Sequence, residues 1–150
     1  MNVVYTDGAC RGNPGPGGWA WAVSSEHYGS GAEAHTTNQR MELRAVLEAL
    51  RVLGTDDLEV VSDSSYVVKC FHDRWYEGWR GRGWRNTQGR PVANRDLWEP
   101  LIDQVMTAQT VRFRWVKGHA GEPLNEFVDL LATAAADRQR GESRLPAPPT

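Results

Sequence analysis

The 150-residue chain lacks the features that mark secreted and membrane proteins. It has two cysteines, Cys10 and Cys70, which form no CxxC pair, so a disulfide framework is excluded. No run of 18 or more apolar residues occurs, which argues against a membrane span. No basic segment followed by an apolar one opens the chain, which argues against a secretory leader. We therefore expect a cytoplasmic protein with free thiols and no membrane partner.

Net charge is small, −2 at pH 7, but the charges are unevenly distributed. The segment 80–95, RGRGWRNTQGRPVANR, contains five arginines and no acid. Several acids instead occur singly within apolar segments. This pattern favours a polyanionic ligand held beside a cluster of carboxylates. The length predicts one domain over residues 1–140, and the Pro-rich composition of 141–150 predicts a disordered tail.

Hydrophobic periodicity predicts a mixed order of strands and helices. Thr37 or Asn38 can cap the longest early helix, and Gly54 can end it. The order predicts an α/β fold, with helices on the faces of a mixed sheet. The predicted elements are strands 2–6, 19–23 and 28–36, helix 38–53, strand 58–62, helix 65–71, a short helix and loop over 75–95, helix 97–108, strand 111–116 and helix 122–138.

Four acids occupy positions where several carboxylates can meet. Asp7 and Asp63 each follow a predicted strand, Glu42 lies in the first turn of helix 38–53, and Asp129 borders the apolar face of the last helix. Neighbouring parallel strands lie about 5 Å apart, so the two aspartates can bridge one metal ion. Clustered carboxylates repel each other, and Mg²⁺, which prefers oxygen ligands, relieves that repulsion. Two such ions can activate a water and stabilise the leaving oxygen of a phosphodiester.

Taken singly, each of these residues has an ordinary structural explanation. An aspartate after a strand often forms a turn or caps a helix, and a glutamate in a first turn often interacts with the helix dipole. His119, between Gly118 and Gly121, can be a solvated loop residue. Beside a metal cluster, however, its imidazole can move protons. Only the combination of these residues favours a catalytic site.

The glycine-rich run GNPGPGGWA, residues 12–20, does not match the phosphate-binding fingerprints. Ala20 occupies the third position of a GxGxxG pattern that starts at Gly15, and no GK[ST] follows. The run therefore favours a turn between strands.

Tryptophans and arginines alternate farther along the chain, at Trp75, Trp79, Arg80, Arg82, Trp84 and Arg85. Such a mixture suits nucleic-acid backbones, although the tryptophan spacing also suits a helical core stripe. Both interpretations can hold together.

Five stretches, in this order, resemble bacterial type 1 ribonucleases H with a basic protrusion, over residues 2–138. The resemblance implies a ribonuclease H-like fold, with a five-stranded mixed sheet flanked by helices. It implies a monomeric endoribonuclease that uses Mg²⁺, or Mn²⁺ as a substitute, to hydrolyse the RNA strand of RNA–DNA hybrids. The expected products carry 3′-hydroxyl and 5′-phosphate ends. The stretches are YTDGACRGNPGPGG, TTNQRMEL, VVSDSSYV, WRGRGW followed by PVANRDLW, and VKGHAGEPLNEFVDLLA.

Position by position, the resemblance also implies a site. Its metal ligands are Asp7, Glu42, Asp63 and Asp129, and its catalytic histidine is His119. Its substrate contacts are Cys10, Asn13, Asn38 and Gln39 at the 2′-hydroxyls and minor groove, Thr37 at a DNA phosphate, and Trp75, Trp79, Arg80, Arg82, Trp84 and Arg85 on the protrusion. Asn125 is expected to support the site. Ser65, Glu122 and Phe127 depart from the family pattern, which bears on specificity and pH dependence.

Two other functions were weighed against hydrolysis. A hybrid-binding module without catalysis predicts an incomplete carboxylate set, whereas all four acids are present. A strand-transfer domain of the integrase type uses three acids at different spacing and usually carries additional DNA-binding domains.

Overall fold

The computed structural model describes residues 2–108 and 110–146. The boundaries of helix 38–53 and of strand 58–62 match the prediction, and most other elements differ from the prediction only at their ends. In order, the elements are β1 (Asn2–Cys10), β2 (Gly15–Ser24), β3 (His27–Thr36), α1 (Asn38–Leu53), β4 (Leu58–Ser62), α2 (Ser65–His72), α3 (Trp75–Gly81), α4 (Arg95–Ala108), β5 (Val111–Trp115), α5 (Pro123–Arg138) and β6 (Ser143–Arg144).

The strands form one mixed sheet in the order β5-β4-β1-β2-β3-β6. Strand β1 pairs antiparallel with β2 and parallel with β4, which in turn pairs parallel with β5. The parallel ladder between β1 and β4 ends at the pair Thr6 and Ser62, whereas the antiparallel ladder continues to Cys10. Asp7 therefore lies inside β1, not at its end as predicted, and adjoins the point where the parallel pairing stops.

The sheet has six strands, one more than the predicted five, because the segment after α5 returns to the edge of β3. Ser143 pairs with Gly29 and Arg144 with Tyr28. The prediction of disorder from residue 141 onward is therefore wrong for these two residues, and residues 147–150 lie outside the described part of the chain. The fold class itself, α/β with helices flanking a mixed sheet, is confirmed.

Both faces of the sheet are covered by apolar packing. Helices α1, α2 and α4 contribute to a large core that includes Val4, Trp21 and Trp98. Helix α5 covers the opposite face, where Val128 and Ala132 belong to a smaller cluster with β2. In the described part of the chain, no helix combines the length and apolar character needed to cross a bilayer.

Helix α1 has the ends that its sequence predicts. The Thr37 hydroxyl accepts a hydrogen bond from the Arg40 amide at 3.2 Å, so Thr37 is the N-cap. The Gly54 amide donates to the Leu50 carbonyl, with Gly54 at φ 81°. The Thr37 cap fixes where α1 begins. Glu42 therefore lies just beyond the first turn, which carries no acid, and not within that turn as predicted.

Candidate active site

Three of the four predicted metal ligands meet at one point. One carboxylate oxygen from each of Asp7, Glu42 and Asp63 lies within 4.8 Å of the others. Asp7 comes from β1, Glu42 from α1, and Asp63 from the residue directly after β4. Since the parallel pairing of β1 and β4 stops just before the two aspartates, both emerge at the same place in the sheet. Three converging carboxylates form an oxygen-rich site of the kind that hard divalent cations prefer.

A glycine allows α1 to approach β1 closely enough for this convergence. A Cβ placed on Gly8 would lie 2.5 Å from the Glu42 amide nitrogen and 2.5 Å from the Met41 carbonyl carbon. Both atoms belong to the backbone of α1, so no side-chain rotation can make room. The absence of a side chain at Gly8 therefore sets the distance between Asp7 and Glu42.

We expect Gly8→Ala to lower the free energy of unfolding by about 3 kcal/mol, because the methyl group must push α1 away from β1. Urea denaturation at constant pH measures this change. Gly81→Ala is the matched control, since a Cβ at Gly81 meets nothing within 4 Å. Equal stability of the two variants would contradict a close helix–strand contact at Gly8.

Burial dominates the electrostatics of Asp7 and Glu42. It raises the pKa of Asp7 to about 7, with the charges of Asp63 and Asp129 acting in the same direction and hydrogen bonds from Glu42 and the Gly8 amide opposing them. Burial also raises the pKa of Glu42, together with the charge of Asp7. The Glu42 Oε2 atom is buried and has no hydrogen-bond partner within residues 2–108 and 110–146. A buried carboxylate oxygen without a donor fits a bound cation.

Asp63 is held by groups on both sides. Asn125, a buried residue of α5, donates from Nδ2 to Asp63 Oδ2 at 3.4 Å. The Trp115 indole donates from Nε1 to the Asp63 main-chain carbonyl at 3.1 Å. Burial raises the pKa of Asp63, while the Asn125 hydrogen bond opposes that shift. Asn125 thus contacts a carboxylate of the cluster, and its supporting role in the site stays a prediction.

Asp129, the fourth predicted ligand, lies outside the group of three. Its oxygens are not within the 4.8 Å set formed by Asp7, Glu42 and Asp63. Its charge nevertheless raises the pKa values of both Asp7 and Asp63. Asp129 therefore acts on the cluster from α5 through its charge. Its place in the ligand set remains a prediction.

His119 lies in the exposed loop between β5 and α5, close to the same cluster. Its charge lowers the pKa of Asp63. A Cβ on the preceding residue, Gly118, would lie 2.9 Å from Asp63 Oδ2, so the loop backbone passes directly over that carboxylate. At the end of this loop, Glu122 accepts a hydrogen bond from the Tyr5 hydroxyl at 3.3 Å. The extra acid at 122 is therefore paired with β1.

The predicted RNA-facing residues cluster where the β1–β2 turn meets the start of α1. The Asn13 side chain accepts from the Asn38 amide at 2.9 Å, and Cys10 donates from Sγ to the Thr36 carbonyl at 3.3 Å. Asn38 and Gln39 are exposed in the first turn of α1. Only the first part of the glycine-rich run, up to Pro14, connects β1 with β2, and Asn13 fastens that connection to the helix. From Gly15 onward the run belongs to β2, so the predicted turn is shorter than expected.

Arg40, which is absent from the predicted site residues, lies near Thr37 in the first turn of α1. Its guanidinium donates to both carboxylate oxygens of Asp96, at 2.9 and 2.7 Å, and so is held in one orientation. The presence of an arginine in the quoted stretch TTNQRMEL was the available signal. A fixed cation next to the predicted phosphate contact Thr37 suits an anionic strand.

The tryptophans of the predicted protrusion face inward and its arginines face outward. Trp75, Trp79 and Trp84 pack against the large core, and the Trp79 ring lies 5.5 Å from that of Trp98. The arginines donate hydrogen bonds either to carbonyl groups within the loop or to an acidic side chain at the surface, as three contacts show. Arg80 donates to Asp103 at 2.8 Å, Arg82 to the Arg85 carbonyl at 3.0 Å, and Arg85 to the Gly89 carbonyl at 2.9 Å. The tryptophans are therefore less accessible to a base or a phosphate than the arginines are.

Comparison with known proteins identifies the family of this chain. The family model described as RNase H matches residues 1–137. The Ribonuclease H of Thermus thermophilus is 49% identical over 151 residues, covering 98% of this chain and 89% of that protein. The Ribonuclease H of Nitratidesulfovibrio vulgaris is 48% identical over 141 residues, covering 91% and 90%.

Solved structures give the same result. The crystal structure of LC9-RNase H1, described as a type 1 RNase H with the type 2 active-site motif, superposes with a TM-score of 0.80 at 34% identity, covering 97% of this chain and 76% of that one. LC11-RNase H1, solved in complex with RNA/DNA hybrid, shares the fold with a TM-score of 0.68 at 23% identity, covering 91% and 96%. The family model and the relatives span nearly the whole sequence, and the chain therefore belongs to the RNase H family of nucleases.

Proposed function

We propose that the chain hydrolyses the RNA strand of RNA–DNA hybrids with two Mg²⁺ ions, or Mn²⁺ in their place, leaving 3′-hydroxyl and 5′-phosphate ends. The observation that carries this proposal is the convergence of Asp7, Glu42 and Asp63 within 4.8 Å, together with a buried Glu42 oxygen to which no group in the described part of the chain donates. The relatives named Ribonuclease H, and one solved with RNA/DNA hybrid, support the choice of substrate. A single copy supplies all of these groups, so we propose a monomer as the working unit.

In this proposal the four carboxylates share the task of holding the ions. Asp7, Glu42 and Asp63 would bind them at the point where the three residues converge, and Asp129 would add a ligand from α5. Bound ions would activate the attacking water and stabilise the leaving oxygen. Asn125 keeps Asp63 in position by its hydrogen bond to Oδ2. His119 moves a proton at the edge of the cluster or assists product release.

Recognition of the RNA strand depends on its 2′-hydroxyls, which DNA lacks. Cys10, Asn13, Asn38 and Gln39 lie together at the junction of the β1–β2 turn and α1, beside the carboxylates. Thr37 contacts a phosphate of the DNA strand, and Arg80, Arg82 and Arg85 meet that strand farther along. We assign to these groups the selection of a hybrid over either pure duplex.

The test is hydrolysis of a labelled hybrid beside the matching RNA and DNA duplexes, with Mg²⁺ and with chelator. We expect cleavage of only the RNA strand of the hybrid, only with the divalent ion, and with 5′-phosphate on the downstream fragment. A wild-type protein that binds hybrid with Mg²⁺ but leaves it intact would overturn the proposal. Joining of DNA ends in place of hydrolysis would assign a strand-transfer activity instead.

His119→Asn is expected to lower kcat by about 10²-fold with little change in KM, because asparagine has no group that titrates near neutral pH. Asparagine tolerates the left-handed backbone of this position, at φ 57°, so the loop keeps its shape. Steady-state kinetics across pH measure the effect. The exposed His35 gives the matched control, His35→Asn. An unchanged kcat at every pH would identify His119 as a solvated loop residue.

A further inference from the structure

A groove that the proposed function leaves unused lies beside the carboxylate cluster. It runs between α2 and β5, has a volume of about 390 Å³, and is lined by Ser65, Val68, Lys69, His72 and Trp115. Ser65 begins α2 two residues after Asp63, and Trp115 ends β5. One end of the groove therefore lies near Asp63, whose carbonyl accepts from Trp115, and its far side is β5, the edge strand of the sheet.

The indole of Trp115 forms one wall and is held in a fixed orientation. Half of the side chain, 50%, is exposed, and it is the one aromatic among the exposed large hydrophobics of the described residues. Its Nε1 donates to the Asp63 carbonyl at 3.1 Å, so the ring cannot rotate freely into solvent. An exposed but anchored aromatic face suits stacking with another planar group.

The opposite wall carries basic side chains. Lys69 and His72 lie one turn apart on α2, and none of the five lining residues in the described part of the chain is acidic. His72 is oriented by a contact of 2.7 Å between its Nε2 and the Phe113 carbonyl oxygen. The groove therefore combines an aromatic platform with a cationic side chain, Lys69, that attracts an anion.

We propose that this groove binds one unpaired nucleotide of a strand whose duplex part occupies the carboxylate site. Its base stacks on Trp115 and its phosphate faces Lys69. Aromatic platforms beside basic side chains bind single-stranded nucleic acid in this way. The volume of the groove falls within the range of sites for molecules of nucleotide size. The inference rests on the proposed function, because the hybrid delivers the unpaired nucleotide to the groove.

Binding measurements on hybrids with and without single-stranded extensions test the groove. Asp7→Asn protein with Mg²⁺ is used so that the substrate stays intact, and fluorescence anisotropy compares a blunt hybrid with hybrids extended at each end of the RNA or the DNA strand. We expect at least one extended hybrid to bind about tenfold more tightly than the blunt one. The polarity of the favoured extension identifies the strand that enters the groove.

Two substitutions at the same position separate stacking from structural damage. Trp115→Ala and Trp115→Phe both lose the hydrogen bond to the Asp63 carbonyl, but only Trp115→Phe keeps an aromatic ring. Each variant's affinity for the extended hybrid is compared with its own affinity for the blunt hybrid, so that any shift at Asp63 cancels. Trp115→Ala should abolish the advantage of the extension, whereas Trp115→Phe should retain most of it. Val52→Ala, at an exposed apolar residue of α1, is the surface control.

Equal binding of blunt and extended hybrids would overturn the groove proposal, as would an extension advantage that survives in Trp115→Ala. Equal binding is also the result expected if a peptide segment occupies the groove instead. Cleavage of blunt hybrid by the wild-type protein tests the proposed function separately. If that cleavage occurs without any extension advantage, only the groove proposal fails.

Discussion

Asp63→Asn is expected to abolish cleavage of the hybrid, with kcat reduced by about 10³-fold or more, while the fold stays intact. Asp63 follows β4 directly and shares the 4.8 Å group with Asp7 and Glu42. Asparagine keeps the size of the side chain but removes the charge that holds a divalent ion. The new side chain still offers an amide oxygen to Asn125 Nδ2, which lies 3.4 Å from Asp63 Oδ2, so the contact with α5 can be kept. Single-turnover cleavage with Mg²⁺ measures the loss.

Asp56→Asn provides the matched control, because Asp56 is an exposed aspartate in the loop just before β4. It should keep wild-type turnover and melt like the wild type in the presence of chelator. Asp63→Asn should melt no lower than the wild type in chelator, because it removes a carboxylate whose pKa is raised by burial. Turnover in Asp63→Asn within about tenfold of wild type would contradict the metal assignment. Loss of turnover together with loss of the folded state would leave Asp63 with a structural role only.

Elements with a strong local pattern were predictable from the sequence. Helix α1 has an apolar face, an N-cap at Thr37 and a terminating Gly54, and its boundaries match the prediction. Strand β1 was predicted to stop before Asp7, because Gly8 and the glycines farther along have low strand propensity. In the structure, β1 continues to Cys10 because it pairs with β2. The close packing of α1 against β1 requires a glycine at position 8.

Features that depend on distant partners were not predictable. Ser143 and Arg144 form β6 only because the edge of β3 lies beside them, and their composition alone indicates disorder. The hydrogen bond from Trp115 to Asp63 joins residues 52 positions apart. A helical face shows that Asp129 borders the core, but it does not give the distance from α5 to the sheet. Local patterns therefore identified the candidate residues, and tertiary contacts determine which three converge.

The metal-free protein is expected to lose stability as pH rises from about 4 to about 7, because burial raises the pKa of Asp7 to about 7 in the folded state. The unfolded chain titrates this group near its ordinary value, so the folded state binds more protons throughout that window. The stabilisation is complete below the pKa that Asp7 has in the unfolded chain. It is lost as pH rises through the pKa that Asp7 has in the folded protein. Three pKa units correspond to about 4 kcal/mol, and the raised pKa values of Glu42 and Asp63 act in the same direction.

Asp7→Asn removes the buried charge, so in chelator near pH 8 this variant should be more stable than the wild type by an amount on the order of 2 kcal/mol or more. Urea denaturation from acid to mildly alkaline pH measures how the free energy of unfolding changes with pH in the wild type and in Asp7→Asn. Adding Mg²⁺ near pH 8 should stabilise the wild type far more than Asp7→Asn, because the ion replaces the missing proton as the partner of the carboxylates.

Asp137→Asn is the control. Arg11 lowers the pKa of that exposed acid, so the substitution acts at acid pH. It should leave the change of stability with pH above about pH 5 the same as in the wild type. A wild-type stability that rises with pH across this window would contradict burial as the dominant influence on Asp7.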